Sequence, residues 1–231
     1  MNHSSKVNTK TNLVELHELE DLDLHTTTVD GKRFYVDTSG EMYPSVTTVT
    51  SLLSADQIKL WRKRVGEETA NRISNAAARR GTAFHYKVED YLRREKEYVE
   101  FDNIIQEGMF KAIKPILDES VAPIALEAPL VSKELKLAGR VDCVGLWENK
   151  LAIIDFKTST KYKEEYMAKP WYLQMTAYAI MVEELTGHAI EECVALVALE
   201  NGISQLFITE PSQHVEELYE LRLRYRNLYG V

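Results

Sequence analysis

The stretch 139–158, GRVDCVGLWENKLAIIDFKT, places Asp142, Asp155 and Lys157 where they can share one side of a sheet. Alternate side chains of a strand face the same way, so Asp155 and Lys157 point together while Ile154 and Phe156 point into a core. A turn at Glu148, Asn149 and Lys150 returns one strand alongside the other. If Leu146 lies opposite Leu151, Asp142 lies opposite Asp155; if Glu148 lies opposite Leu151, Asp142 lies opposite Lys157. Both registers keep Asp142 on the face of the other two. Two close carboxylates repel unless a cation or a proton intervenes. Oxygen ligands of this kind suit Mg²⁺ or Mn²⁺, which polarises a phosphoryl oxygen and acidifies a bound water. The lysine can orient that water or stabilise charge on the phosphate. The set fits phosphodiester hydrolysis; the alternative is a surface hairpin with an ordinary Asp–Lys pair.

Further residues add to this set. His85 and Glu89 are four apart and share a helix face with Val88 and Leu92. Two polar groups on an apolar face need partners, which a metal-linked site or a satisfied core would supply. Gln174 and Tyr178 are also four apart, either beside the site touching nucleic acid or as an exposed helical pair. Glu127 stands in an otherwise apolar strand and faces the same site or the solvent edge.

The elements that must position these groups can be read from periodicity. Residues 33–37 and 41–49 flank a turn at Thr38, Ser39 and Gly40, and Pro44 and Ser45 open a short helix. A helix over 55–80 has an apolar stripe of Ile58, Trp61, Val65, Ala70 and Ile73. Gly81 and Thr82 interrupt it, and a second helix covers about 83–96. A third spans 103–119, where Pro115 kinks or ends it. From Ile124 the chain turns β-rich, with strands at 124–132, 137–147 and 150–157. A helix from Pro170 to about Thr186 ends at Gly187. Strands at 193–200 and 203–209 flank the Asn201-Gly202 turn, and a helix over about 212–228 follows. The order predicts an α/β (mixed α+β) fold: a central mixed β-sheet flanked by helices. A tail, 1–12, precedes a single domain, 13–231. That domain has a hairpin and helical region (13–120) and a catalytic core (121–231).

The 231 residues carry a net charge of -8, the wrong sign for a phosphate-rich partner. Between Lys59 and Lys96, however, 11 Lys and Arg face 5 Asp and Glu, a net of +6 that leaves -14 elsewhere. Arg62, Lys63, Arg64, Arg79 and Arg80 form two clusters there, either a phosphate footprint or a solvated helix face. Only two cysteines are present, Cys143 and Cys193, in apolar runs. They exclude a four-cysteine zinc site or iron–sulfur cluster within this chain and fit core residues in a reducing compartment. No apolar run approaches the ~18 residues of a membrane span. The expected location is the cytoplasm of a bacterial or phage-infected cell, with a mitochondrial location as the weaker alternative.

The pieces GTAFHYKVEDYL (81–92), LEAPL (126–130), GRVD (139–142), DFKTS (155–159) and QMTAY (174–178) resemble, in order, the RecB-like branch of the PD-(D/E)XK nucleases. YPSVTTV (43–49) is similar to the opening motif of the branch's mitochondrial genome-maintenance exonucleases and their phage and bacterial relatives. The resemblance implies a restriction-endonuclease-like core with an N-terminal helical elaboration. It implies that His85, Asp142, Asp155 and the Phe156 carbonyl hold Mg²⁺ or Mn²⁺ and that Lys157 is the catalytic lysine. Gln174 and Tyr178 then form the family's QxxxY element near DNA, Ser45 lies near the substrate, and Glu127 is a site-proximal acid. It implies an exonuclease on single-stranded DNA or DNA ends, serving repair, recombination or replication. The competing readings are an endonuclease of the same chemistry and a DNA-binding module without catalysis. No helicase motif is present, so a helicase or other replication or recombination partner would be a separate chain.

Overall fold

The computed structural model describes residues 14–94, 100–101 and 103–231. The expected tail at 1–12 lies outside them. A short helix α1 (Val14–His17) leads into a three-stranded antiparallel sheet, β1 (His25–Val29), β2 (Lys32–Val36) and β3 (Met42–Pro44). Strand β1 is absent from the sequence expectation. Its signal is Asp30-Gly31, whose φ values of 50° and 73° make the two-residue hairpin turn that matches strand twist. Helices α2 (Val46–Thr50), α3 (Ala55–Val65), α4 (Glu67–Arg93) and α5 (Ile104–Ser120) follow.

The main sheet has five strands in the order β4 (Val121–Ser132), β5 (Leu137–Trp147), β6 (Lys150–Ser159), β7 (Glu192–Leu199) and β8 (Ser204–Thr209). All pairs are antiparallel except β6–β7, whose connection contains α6 (Lys169–Thr186). The last helix is α7 (Val215–Tyr229). One face of the sheet packs against α6, with Leu173, Ala177 and Met181 against Ile153, Ala195 and Val197. The other face packs against α4 and α5, with Phe84, Val88, Ile113 and Leu117 against Ile154, Phe156 and Leu196. Fully burying a side chain of this size stabilises by roughly 1.5–3 kcal/mol. This is the expected mixed sheet flanked by helices.

Helix boundaries differ from the sequence expectation in three places. The break lies at Gly66, with φ 85°, and α4 runs unbroken through Gly81 and Thr82. A helical glycine costs only about 1 kcal/mol, which the buried Phe84, Val88 and Leu92 offset. Ile58 and Ile73 are exposed and α3 buries no residue, so α3 and the outer half of α4 form an arm beside the body. Pro115 neither ends α5 nor belongs to its core face; it is exposed, where the freed carbonyl can meet water.

The β5–β6 hairpin decides between the two registers. Glu148 and Asn149 both have positive φ (47° and 70°), a two-residue turn that pairs Trp147 with Lys150 and Leu146 with Leu151. Counted onward, Asp142 comes opposite Asp155. Gly145, midway along β5, is covered by the β4 backbone at its bulge: an added Cβ would lie 2.6 Å from the Ala122 carbonyl oxygen. Gly145→Ala should therefore cost about 1–3 kcal/mol of overpacking. Urea unfolding would show this as a lower midpoint, and an unchanged midpoint would mean the bulge yields freely.

Candidate active site

Pairing between β5 and β6 stops at Cys143 and Ile154, although both strands continue. Beyond that point β5 stays with β4, and β6 stays with β7 from Asp155 to Ser159. The Phe156 N–H has no ladder partner across the gap; it donates to Asp142 Oδ2 at 2.8 Å. Asp142 thus replaces a backbone acceptor where the sheet forks. Helix α4 packs against the far face, and His85 reaches the fork with Nδ1 3.4 Å from Asp142 Oδ2.

Glu127 completes a row of three acids on adjacent strands. Its neighbours pair as Leu126 with Cys143 and Ala128 with Val141, which sets Glu127 across from Asp142. Its φ of 49° is left-handed, a conformation that costs a non-glycine residue roughly 1–3 kcal/mol. The kink resets the strand's alternation: Ala125 before it, and Ala128 and Leu130 after it, all join one core cluster. One ligand atom each of His85, Glu127 and Asp142 lies within 4.8 Å of the others.

Asp155 is buried and its charge is compensated differently. Lys157 Nζ donates to Oδ1 at 2.7 Å, and Gln174 Nε2 donates to the same oxygen at 3.0 Å. Oδ2 lies 2.5 Å from Lys157 Nζ, so the ammonium straddles both carboxylate oxygens. Burial pushes the Asp155 carboxyl up to about 6, although Lys157 opposes the shift. Burial and the Asp142 charge push Glu127 up to about 7. Burial disfavours a charged His85, but Asp142 outweighs it and raises the imidazole to about 9. Burial likewise disfavours ionised Asp142, but His85 overcomes it and holds the carboxyl below its ordinary value.

The other expected site residues divide. Gln174 and Tyr178 are buried, not an exposed pair, because α6 presses them onto β5 and β6. The Tyr178 ring packs on Gly139, where an added Cβ would lie 2.6 Å from Cε1; the glycine of GRVD leaves room for it. Ser45 is buried and caps α2, accepting from the Thr48 N–H at 3.1 Å. Glu89 points one turn past His85 and pairs with Arg93 at 2.9 Å. Arg80 pairs with Glu200 at 2.8 Å, and Arg62 bonds to Glu67 and Asn71, so both hold helices in place. Lys63, Arg64 and Arg79 are exposed. Arg33, Tyr35, Thr47 and Arg140 are additions that the sequence reading misses; they line a cleft of about 570 Å³ with His85, Glu127, Asp142, Lys157, Gln174 and Tyr178. Arg140 could have been found, since it stands inside GRVD. Arg33 and Thr47 depend on where the N-terminal sheet folds over the site, which no local pattern fixes.

The model of the PD-(D/E)XK nuclease superfamily matches residues 56–224. The chain belongs to this superfamily. Like the named motif, it carries an acid at Asp142 and the D-x-K triplet Asp155–Lys157. It is similar to human mitochondrial genome maintenance exonuclease 1, 28% identical over 173 residues, covering 69% of this chain and 50% of that protein. The protein of the same name from Xenopus tropicalis is 29% identical over 150 residues, 58% of this chain and 42% of its own length. The one from Mus musculus is 29% identical over 128 residues, 52% and 38% respectively. The chain thus spans about half the length, or less, of the curated relatives it matches.

These shifts fix how the metal-free fold responds to pH. Glu127, Asp155 and His85 all bind protons more tightly in the folded chain than in the unfolded one. Their stabilisation is present below the unfolded values and is lost as pH rises through about 6 to 9. In EDTA the melting temperature should fall across that window, and Mn²⁺ should reverse much of the fall by neutralising the same charges. Glu127→Gln should raise the metal-free melting temperature at pH 8 by roughly 2–4 °C, the shift expected of about 1 kcal/mol. A flat pH profile would remove the electrostatic account.

Proposed function

We propose that this chain is a metal-dependent DNA exonuclease acting on single strands or DNA ends. The observation that carries the reading is the fork, which sets Asp142, Asp155 and Lys157 together beside His85 in an open cleft. The superfamily makes hydrolysis of a nucleic acid the expected reaction. The names of the relatives support exonuclease over endonuclease and DNA as the substrate.

The donor set fits a divalent cation. His85, Glu127 and Asp142 converge as nitrogen and oxygen donors, and the buried Asp155 Oδ2 has a lone pair to spare. Mg²⁺ or Mn²⁺ suits such ligands. When bound, it would supply Lewis acidity toward a phosphate and a more acidic water. His85, Asp142 and Asp155 would hold it, and Glu127 would add a further carboxylate oxygen from β4. The N–H and C=O of an extended residue project to the same side of the strand. The Phe156 carbonyl therefore faces the fork and can join them. Asp155, itself held by Gln174, fixes Lys157, whose ammonium can orient the attacking water and stabilise charge on the phosphate. Arg33 and Arg140 offer guanidinium groups to flanking phosphates at the cleft. The buried thiols of Cys143 and Cys193 fit a reducing compartment such as the cytoplasm. Among the described residues no helix is long and apolar enough to cross a membrane.

End-labelled linear and circular single-stranded DNA, digested with Mg²⁺, separates the readings. Linear strands should be degraded from an end, circles should survive, and EDTA should abolish cleavage. Cut circles would make the enzyme an endonuclease; undiminished activity of metal-stripped protein in EDTA would end the metal reading. Asp142→Asn and Lys157→Ala should each lower turnover by at least about 10²-fold while the chain stays folded. For binding, Arg79→Ala and Arg140→Ala should each make the slope of log affinity against log salt shallower by roughly one unit, as expected when one phosphate is no longer neutralised. Arg80→Ala should instead lower the melting temperature, because its guanidinium already holds Glu200.

A further inference from the structure

We infer that Glu20 and Arg93 are positioning residues for the metal-binding cluster: they clamp the β4 backbone at Leu126 so that Glu127 is delivered to His85 and Asp142. This rests on the reading that the cluster binds a divalent cation. β4 is an edge strand, paired only with β5, so part of its backbone polar groups face away from the sheet. At Leu126 both outward groups are taken by charged side chains. The Leu126 N–H donates to Glu20 Oε1 at 2.6 Å, and its carbonyl accepts from Arg93 Nη2 at 3.0 Å. Arg93 Nη1 also donates to Glu20 Oε2 at 3.0 Å, and its Nε donates to Glu89 Oε1 at 2.9 Å. Together the pair offers Leu126 one acceptor and one donor, as a neighbouring strand would.

The next residue is the left-handed Glu127, whose carbonyl is held from the other side by Arg140 Nη1 at 2.8 Å. The kink is therefore tied on both flanks. Without the clamp, Leu126 and Glu127 can relax to ordinary extended backbone. That change would turn the Glu127 side chain away from Asp142, since side-chain direction in a strand follows the backbone. Glu20 comes from outside the segment that matches the superfamily, 56–224. Buried Leu16 and Leu19 seat its short segment against β4, and Arg93 lies two turns along α4 from His85. A segment that precedes the matched region thus holds, through two hydrogen bonds, the strand that carries Glu127.

The test uses the full chain, stripped with EDTA. Mn²⁺ binding is measured by calorimetry, Mg²⁺ dependence by cleavage, and folding by thermal melting. Glu20→Ala should weaken Mn²⁺ binding by about 10-fold or more, the effect typical of residues that orient metal ligands. The half-saturating Mg²⁺ concentration should rise by a similar factor, with turnover at saturating metal little changed. Glu20→Gln keeps an acceptor for the Leu126 N–H and should lose less, which guards against a variant that merely unfolds. In a Glu127→Ala background, Glu20→Ala should weaken Mn²⁺ binding no further, because its route to the metal is gone. A lower melting temperature with unchanged Mn²⁺ affinity, or losses that simply add in the double variant, would overturn the inference and leave the nuclease reading intact. A chain with all its native residues that binds no Mn²⁺ and cleaves without metal would instead sink the reading beneath it.

Discussion

Backbone pairing between β5 and β6 ends one residue short of two carboxylates, and the site follows from that parting. A strand that continued to pair would satisfy the Phe156 N–H with a carbonyl and fill the gap. Here Asp142 satisfies it instead, which orients one acid and opens a cleft between two halves of one sheet. The two-residue turn at Glu148 and Asn149 fixes the register, so the acids come level. A slip of one residue would send Asp142 or Asp155 into the opposite core. Strand pairing, a property of the backbone, therefore determines which charges can meet.

Bringing three acids into a row is electrostatically unfavourable, and each acid is accommodated in its own way. Asp142 has His85 and a backbone N–H, Asp155 has Lys157 and Gln174, and Glu127, where burial and the Asp142 charge outweigh His85 and Arg140, holds a proton more tightly. The three environments push the carboxyl groups apart in acidity, a pattern found where acids do chemistry. The left-handed kink at Glu127 adds a backbone cost at the same place. A divalent cation would relieve the row at once.

Much of the sheet and the centre of the site was legible because strand periodicity is short and local. Asp155, Lys157, Ile154 and Phe156 follow from alternation alone, and the apolar stretch of α6 from its proline and glycine punctuation. The ordered motifs brought His85, Gln174 and Tyr178 to the same place. What stayed hidden depends on distant parts of the chain. Ile58 and Ile73 have helical spacing but are exposed among the described residues, since burial belongs to the tertiary structure. Arg80 and Arg62 look like free cations until Glu200 and Glu67 are found beside them. Glu127 reads as a strand residue of uncertain side because its own backbone breaks the alternation on which such a reading relies.

The unbroken α4 has a mechanical consequence. Its 27 residues make a rod of about 40 Å, stiff because each turn is bonded to the next. Phe84, Val88 and Leu92 seat one end in the core, and the Arg80–Glu200 pair ties it to the turn after β7. The other end projects as part of the arm. His85 lies close to where rod and body meet, so a tilt of the arm about that fulcrum turns into a small displacement of one imidazole against Asp142. The stiffness of one helix thus ties the placing of the His85 imidazole to the placing of the arm.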